Sequence, residues 1–194
     1  MTYADIVRPQ SKANIIIYNI SLVIGGSILM ALLAQLTVRL PFSPVPITGQ
    51  TFGVLLLGAL FGSRRGSAAM LAYILEGVAG LPVFAGGLAG PAVLAGPTGG
   101  YILGFVFAAY GVGYLAEQGW DRRMISTVAM MVMGTGIIYL GGLFWLSQFV
   151  PGEQLLNVGL FPFLPGAVIK IALAAILLPG GWKLLGRRDP TRVE

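Results

Sequence analysis

The sequence predicts an all-α integral membrane protein of six transmembrane helices with both the N- and C-termini cytoplasmic, and three observations predict it. Only 10% of the 194 residues are charged against 56% hydrophobic, and mean hydropathy is +0.85. A soluble domain carries about 25% charged residues, so these polar side chains are too few to cover a water-facing globule. Six apolar runs, at about 13–38, 49–63, 66–79, 98–116, 124–149 and 164–183, alternate with short connections and form one membrane domain over 1–194. With the N-terminus inside, the cytoplasmic segments collect Arg8, Lys12, Arg64, Arg65, Arg122, Arg123, Lys183, Arg187, Arg188 and Arg192, while the outer connections hold only Arg39. That is the positive-inside distribution.

The same totals exclude several function classes. A net charge of +5 and a pI near 9.8 could suit nucleic acid, but the basic residues sit as scattered pairs and form no stripe interleaved with aromatics. Nucleic acid is therefore not an expected partner. Cysteine and histidine are both absent, so a disulfide framework, a zinc site and a Ser-His or Cys-His catalytic pair cannot be built. Residues 90–98 read GPAVLAGPT, with five residues between the glycines and Pro97 where a phosphate-binding loop needs lysine. No enzyme, metal site or resident cofactor is expected. A passive channel would need polar faces on several spans, and these are lacking.

The first run, 13–38, is too long for a secretory signal core and reads as an uncleaved span. Ser27, Ala31 and Ala34 put small side chains on one of its faces, suited either to packing inside the protein or to docking a partner helix. Pro41, Pro44 and Pro46 then force an extended connection, and Thr48 is placed to cap the second run. Gly58, Gly62 and Gly66 recur every four residues, as close helix packing requires, with Arg64 and Arg65 marking the next turn. The third run contains Glu76. Residues 80–101, GLPVFAGGLAGPAVLAGPTGGY, carry no charge but too many glycines and prolines for a continuous helix. Apolar yet irregular backbone is tolerated in a membrane protein only where it is covered or lines a cavity. The fourth run has Gly100 and Gly104 on one face; the fifth is unbroken by charge; 151–157 reads as a polar turn; and Pro162 and Pro165 precede the sixth. The connections 40–48, 80–97 and 151–165 fall together on the outside, like a lid.

Lys170, inside the sixth run, is the sharpest single residue. An ammonium within a span costs about 2.5–3.5 kcal/mol on insertion scales and needs a partner or a route to the interface. An anionic ligand, a pairing with Glu76 and a reach to the outer interface all remain open. Spans two, four and six begin outside, so three positive helix N-termini share the side of Lys170 and favour a carboxylate there. Gln50, Thr48, Tyr101 and Asn157 can supply neutral hydrogen bonds beneath the lid or cap local backbone, and Glu76 can serve as a counter-ion to Lys170 or Arg39. Phe84, Phe163 and Trp145 can contact an apolar ring or anchor the spans at the interface.

The strings PFSPVPITGQTFGVLLLGALFGSRRG (41–66) and GLPVFAGGLAGPAVLAGPTGGYILGF (80–105) closely resemble the signature stretches of the BioY family, the biotin-specific S components of energy-coupling-factor (ECF) transporters. FPFLPGAVIK (161–170) matches more loosely. The resemblance implies a multi-pass protein of a prokaryotic plasma membrane that captures biotin near the outer surface and delivers it inward. It implies docking on a transmembrane coupling protein with two ATPase subunits, the only place where ATP enters, or self-association where the protein works alone. Lys170 matches the family lysine that holds the ligand's carboxylate, and Ser27, Ala31 and Ala34 match the usual docking face. One position departs: the family commonly has aspartate three residues before that lysine, and here Ala167 stands there. Losing such a charge-assisted acceptor for the ureido N–H groups costs about 1.5–3 kcal/mol unless another acceptor replaces it, which leaves another small carboxylate or vitamin-like substrate as the alternative.

Overall fold

The computed structural model describes residues 1–186; Arg187, Arg188 and Arg192 of the expected basic C-terminal segment lie outside the described residues. The chain is mostly helical: α1 (Tyr3–Ile6), α2 (Lys12–Gln35), α3 (Gln50–Phe61), α4 (Ser63–Val78), α5 (Ala92–Ala95), α6 (Gly99–Glu117), α7 (Met124–Leu146), α8 (Gly152–Gly159) and α9 (Leu164–Gly186). Two short strands, β1 (Thr37–Val38) and β2 (Ile47–Thr48), pair antiparallel with Thr37 opposite Thr48. Four stretches, Lys12–Gln35, Gly99–Glu117, Met124–Leu146 and Gly152–Leu185, are long and apolar enough to cross a membrane.

α3 and α4 are shorter, 12 and 16 residues. At 1.5 Å per residue they rise about 18 and 24 Å, against about 30 Å of hydrocarbon. They meet at Gly62, whose φ of +86° is open to glycine and strained for other residues. The expected Gly58–Gly62–Gly66 stripe is thus not one helical face. Gly62 is the turn itself, Gly58 lies against Ala109 of α6, and Gly66 packs on Gly58, where an added Cβ would come within 2.9 Å of the Gly58 Cα. Glu117, at the end of α6, accepts the Ser63 N–H at 2.7 Å and the Ser63 hydroxyl at 2.9 Å, which caps α4 across that turn.

α6 runs through the centre, packed on α3, α4 and α7. Gly100 and Gly104 bring it close to α7: a Cβ on Gly100 would collide with the Trp145 side chain. α2 lies at the edge, exposing Ile16, Ile17, Ile20, Ile24, Ile28 and Leu32. Here the expected docking face is corrected. Ser27 and Ala34 are fully buried and Ala31 is partly buried against the core. The small side chains let α4 approach, and the surface that α2 presents outward is a bulky aliphatic one.

The first residues fold back onto the end of the bundle opposite the three lid connections. Asp5 accepts the Thr2 N–H at 2.9 Å and pairs with Arg65 at 2.8 Å, and the Met1 ammonium donates to the Glu117 carbonyl. Nearby, the Trp182 Nε1–H donates to buried Asp121 at 2.6 Å, with the Arg122 guanidinium over the indole and the Tyr3 ring packed against it at a 45° tilt. Burial raises the Asp121 carboxyl above its ordinary value, and the Trp182 hydrogen bond offsets part of that rise.

Candidate ligand-binding site

At the other end, the three Pro/Gly-bearing connections converge on a cavity of about 660 Å³, within the range usual for small-molecule sites. The β1–β2 hairpin forms one wall. Its proline-held loop is tied down by Ser43, whose hydroxyl accepts the Val45 N–H and donates to the Val158 carbonyl at 2.7 Å. The glycine-rich stretch forms the facing wall with Ala85, Leu88, Ala89, Ala92 and Val93. Tyr101, Ile102 and Phe105 of α6, Tyr139 of α7, Phe163 just before α9, and Gly166 and Lys170 in the first turns of α9 complete the lining. The Trp145 indole donates to the Gly96 carbonyl at 3.0 Å, so α7 holds the glycine-rich wall from behind.

Lys170 reaches into this cavity. Its Nζ donates to the Thr48 carbonyl at 2.8 Å and to the Thr51 hydroxyl at 2.7 Å. An ammonium has three protons, so one remains for a ligand. The cavity lining contains no acidic side chain, and among the described residues the one ion pair is Arg65 with Asp5. The alternative pairing with Glu76 is therefore corrected: Glu76 lies outside the lining and accepts the Ser27 hydroxyl at 2.7 Å, because its face of α4 turns toward α2.

The other expected contacts divide. Thr48, Gln50 and Tyr101 line the cavity. The N-cap of α3 is Gly49 rather than the expected Thr48; the Thr48 hydroxyl, one residue earlier, accepts the Gln50 N–H at 3.3 Å, while its carbonyl holds Lys170. Gln50 is buried, and its Nε2 donates to the Tyr73 hydroxyl at 2.7 Å, which donates in turn to the Val83 carbonyl. Its Oε1 accepts no hydrogen bond among the described residues, which leaves an acceptor at the cavity wall. The Tyr101 hydroxyl donates to the Gly159 carbonyl, so Tyr101 offers its ring. Phe84 and Asn157 are corrections. Phe84 is fully buried, edge-on to Tyr73 and filling the space that Gly77 leaves without a side chain, so it anchors the wall from outside the cavity. Residues 151–157 are not a turn but the start of α8, which turns Asn157 outward with Glu153 and Gln154 while Val158 and Gly159 face in.

Residue patterns missed Arg39 and Thr51. Arg39, just after β1, lines the cavity and lies against Gly86, where an added Cβ would come within 2.9 Å of its Nη2. None of its donors is hydrogen-bonded among the described residues. The available signal was that it is the one cation of the outer connections. Ala167 is half-buried and not part of the lining, whereas Gly166 and Lys170 on the same helix are. The arrangement is an apolar chamber with two cations, no acid and a few neutral polar groups. It suits reversible binding of an apolar molecule bearing an anionic group.

Residues 8–187 match the BioY family. The protein from Rhizobium etli described as biotin transporter BioY is 37% identical over 160 residues, covering 78% of this chain and 86% of its own. A biotin transporter BioY from Thermotoga maritima is 40% identical over 141 residues, covering 72% and 82%. The crystal structure of the S-component for biotin from an ECF-type ABC transporter superposes with a TM-score of 0.78 at 25% identity, covering 90% of this chain and 95% of that one.

Proposed function

Because the chain belongs to the BioY family, we propose that it is the biotin-capturing S component of an ECF transporter, taking biotin into the 660 Å³ cavity from outside and delivering it inward. The observation that carries this reading is Lys170, an ammonium fixed by Thr48 and Thr51 in an apolar chamber without an acid. It receives the ligand's carboxylate on its third proton. Arg39 at the rim adds a second, more exposed attraction for the same charge, with five donors in a rigid fork. The bicyclic ring lies between the glycine-rich wall and Tyr101, Tyr139 and Phe163, and the Gln50 Oε1 takes a ureido N–H in place of the family aspartate absent at Ala167.

In this reading α2, α3, α4, α6, α7 and α9 are six spans, the termini are cytoplasmic and the cavity opens outward. The basic residues at the opposite end support that orientation. A coupling protein and two ATPases energise release, with the aliphatic outer face of α2 as their approach. Ala167 favours one second reading, a different small carboxylate with fewer N–H groups. Titration of the purified chain with biotin, in competition with dethiobiotin, thiamine and riboflavin, separates the two. Tight biotin binding that thiamine and riboflavin leave untouched supports the proposal; displacement of biotin by either vitamin at equal concentration refutes it. Co-purification from native membranes then identifies the energising subunits.

A further inference from the structure

A second depression, about 500 Å³, opens at the basic end of the bundle between α1, α2, α4 and α6. Its two acids are already engaged, Asp5 by Arg65 and Thr2, and Glu117 by Ser63. Arg8 and Arg64 also line it; both are exposed, and neither guanidinium has an ion pair or hydrogen bond among the described residues. Tyr110 and Tyr114 of α6 complete that side, each 53% exposed.

The faces above this depression are apolar. Phe107 and Leu103 continue the Tyr114–Tyr110 face of α6, both exposed, and on α4 exposed Leu71 and Leu75 lie two and three turns beyond Arg64 on its face. From Leu103 to Tyr114 the helix rises about 16 Å, close to half of the roughly 30 Å hydrocarbon thickness. A polar, net-basic recess thus continues into an apolar surface one leaflet long, with tyrosines at the join, where amphipathic rings favour a membrane interface.

We propose that this recess binds the phosphate headgroup of an anionic phospholipid through Arg8 and Arg64, with an acyl chain along the Leu103–Phe107 face. An acidic peptide of a partner would account for the arginines but not for the continuous apolar face. The shared chemistry is a phosphate monoanion, and the test separates lipid from free phosphate.

The test compares, on the detergent-solubilised full chain by native mass spectrometry, retention of phosphatidylglycerol and phosphatidylcholine with identical acyl chains, with and without inorganic phosphate. The expected result is preferential retention of phosphatidylglycerol, resistance to inorganic phosphate, and a loss of about fivefold for each arginine removed in Arg8→Ala and Arg64→Ala. Equal retention of the two lipids, or an unchanged preference in the double variant, overturns the proposal. Displacement by inorganic phosphate alone assigns the recess to free phosphate and overturns the lipid. Helical circular dichroism checks the fold, and if the double variant fails to fold, the single Arg64→Gln variant decides by the same preference.

Discussion

At the cavity end, Lys170 and Arg39 face walls that carry no acid, while at the opposite end Asp5, Glu117 and Asp121 each accept hydrogen bonds from donors of the protein itself. Both ends contain charge in a chain that has little of it. The difference lies in who completes the pairing. Where the protein supplies both partners, the charge fixes architecture: Glu117 caps α4, and Asp5 with Arg65 docks the first helix. Where only the cation is supplied, an outside anion must complete it, and substitution there is expected to change binding more than stability.

Lys170→Met tests that division with the largest effect. Removing a charge-assisted hydrogen bond of about 1.5–3 kcal/mol weakens biotin binding about tenfold to a hundredfold, with helicity and melting temperature near those of the parent. Calorimetric titration and a thermal melt check both halves. The substitution also releases the Thr48 carbonyl, so Thr51→Val is the companion: it leaves the charge and loosens its position, for a smaller loss of about threefold to tenfold. If Lys170→Met unfolds the chain while Thr51→Val binds normally, Lys170 belongs with the architectural charges and the comparison fails.

Arg39→Gln comes next. A rim cation acts through solvent, so its loss is expected to lower affinity about fivefold, mostly in the association rate and more at low salt than at high. Stopped-flow association at two ionic strengths measures it. A salt-independent effect confined to dissociation would place the guanidinium deep against the ligand instead.

What the sequence made legible follows from which signals apolar surroundings leave standing. Lys170 stood out because an ammonium in an apolar run demands an explanation, and the glycine-rich stretch because helix-breaking residues without charge must line something. Both meet at the cavity. The burial of Ser27 and Ala34 was not legible: α2 is apolar all round, so no polar face marks which side packs on α4. Phe84 and Asn157 were misassigned for local reasons. Phe84 depends on the space beside Gly77, distant in pattern though near in space, and Asn157 on α8, whose 8 residues read more readily as a turn. The two-residue strands that present Arg39 are too short to show alternation.

Glu117→Ala sharpens the comparison from the other end. It leaves the Ser63 N–H and hydroxyl without their acceptor at the α3–α4 turn, and loss of a cap costs about 0.5–2 kcal/mol. The melting temperature in detergent should fall while the biotin dissociation constant stays within about twofold. A large loss of biotin affinity without a stability change would contradict the assignment of Glu117 to architecture.

The smallest expected effect is at Asp5, and its sign is set by linkage. Burial pushes the Asp5 carboxyl up, but the Thr2 N–H, the Arg65 guanidinium and the Thr2 hydroxyl together outweigh it, so the folded-state value lies below the ordinary 3.8. A carboxylate depressed on folding contributes stability that is fully present above 3.8 and is lost as pH falls through the lowered value. The docking of α1 should therefore be unaffected by acidification down to the ordinary carboxyl range and weaken only below it. The pair is partly exposed, which keeps its contribution to about 1 kcal/mol or less. Hydrogen exchange of residues 3–6, measured from neutral pH into that acid range, should give protection that drops only at the low end, and Asp5→Asn should remove the drop. A fall in protection already at pH 6, with the Asp5→Asn profile unchanged, would show that another group holds α1 in place.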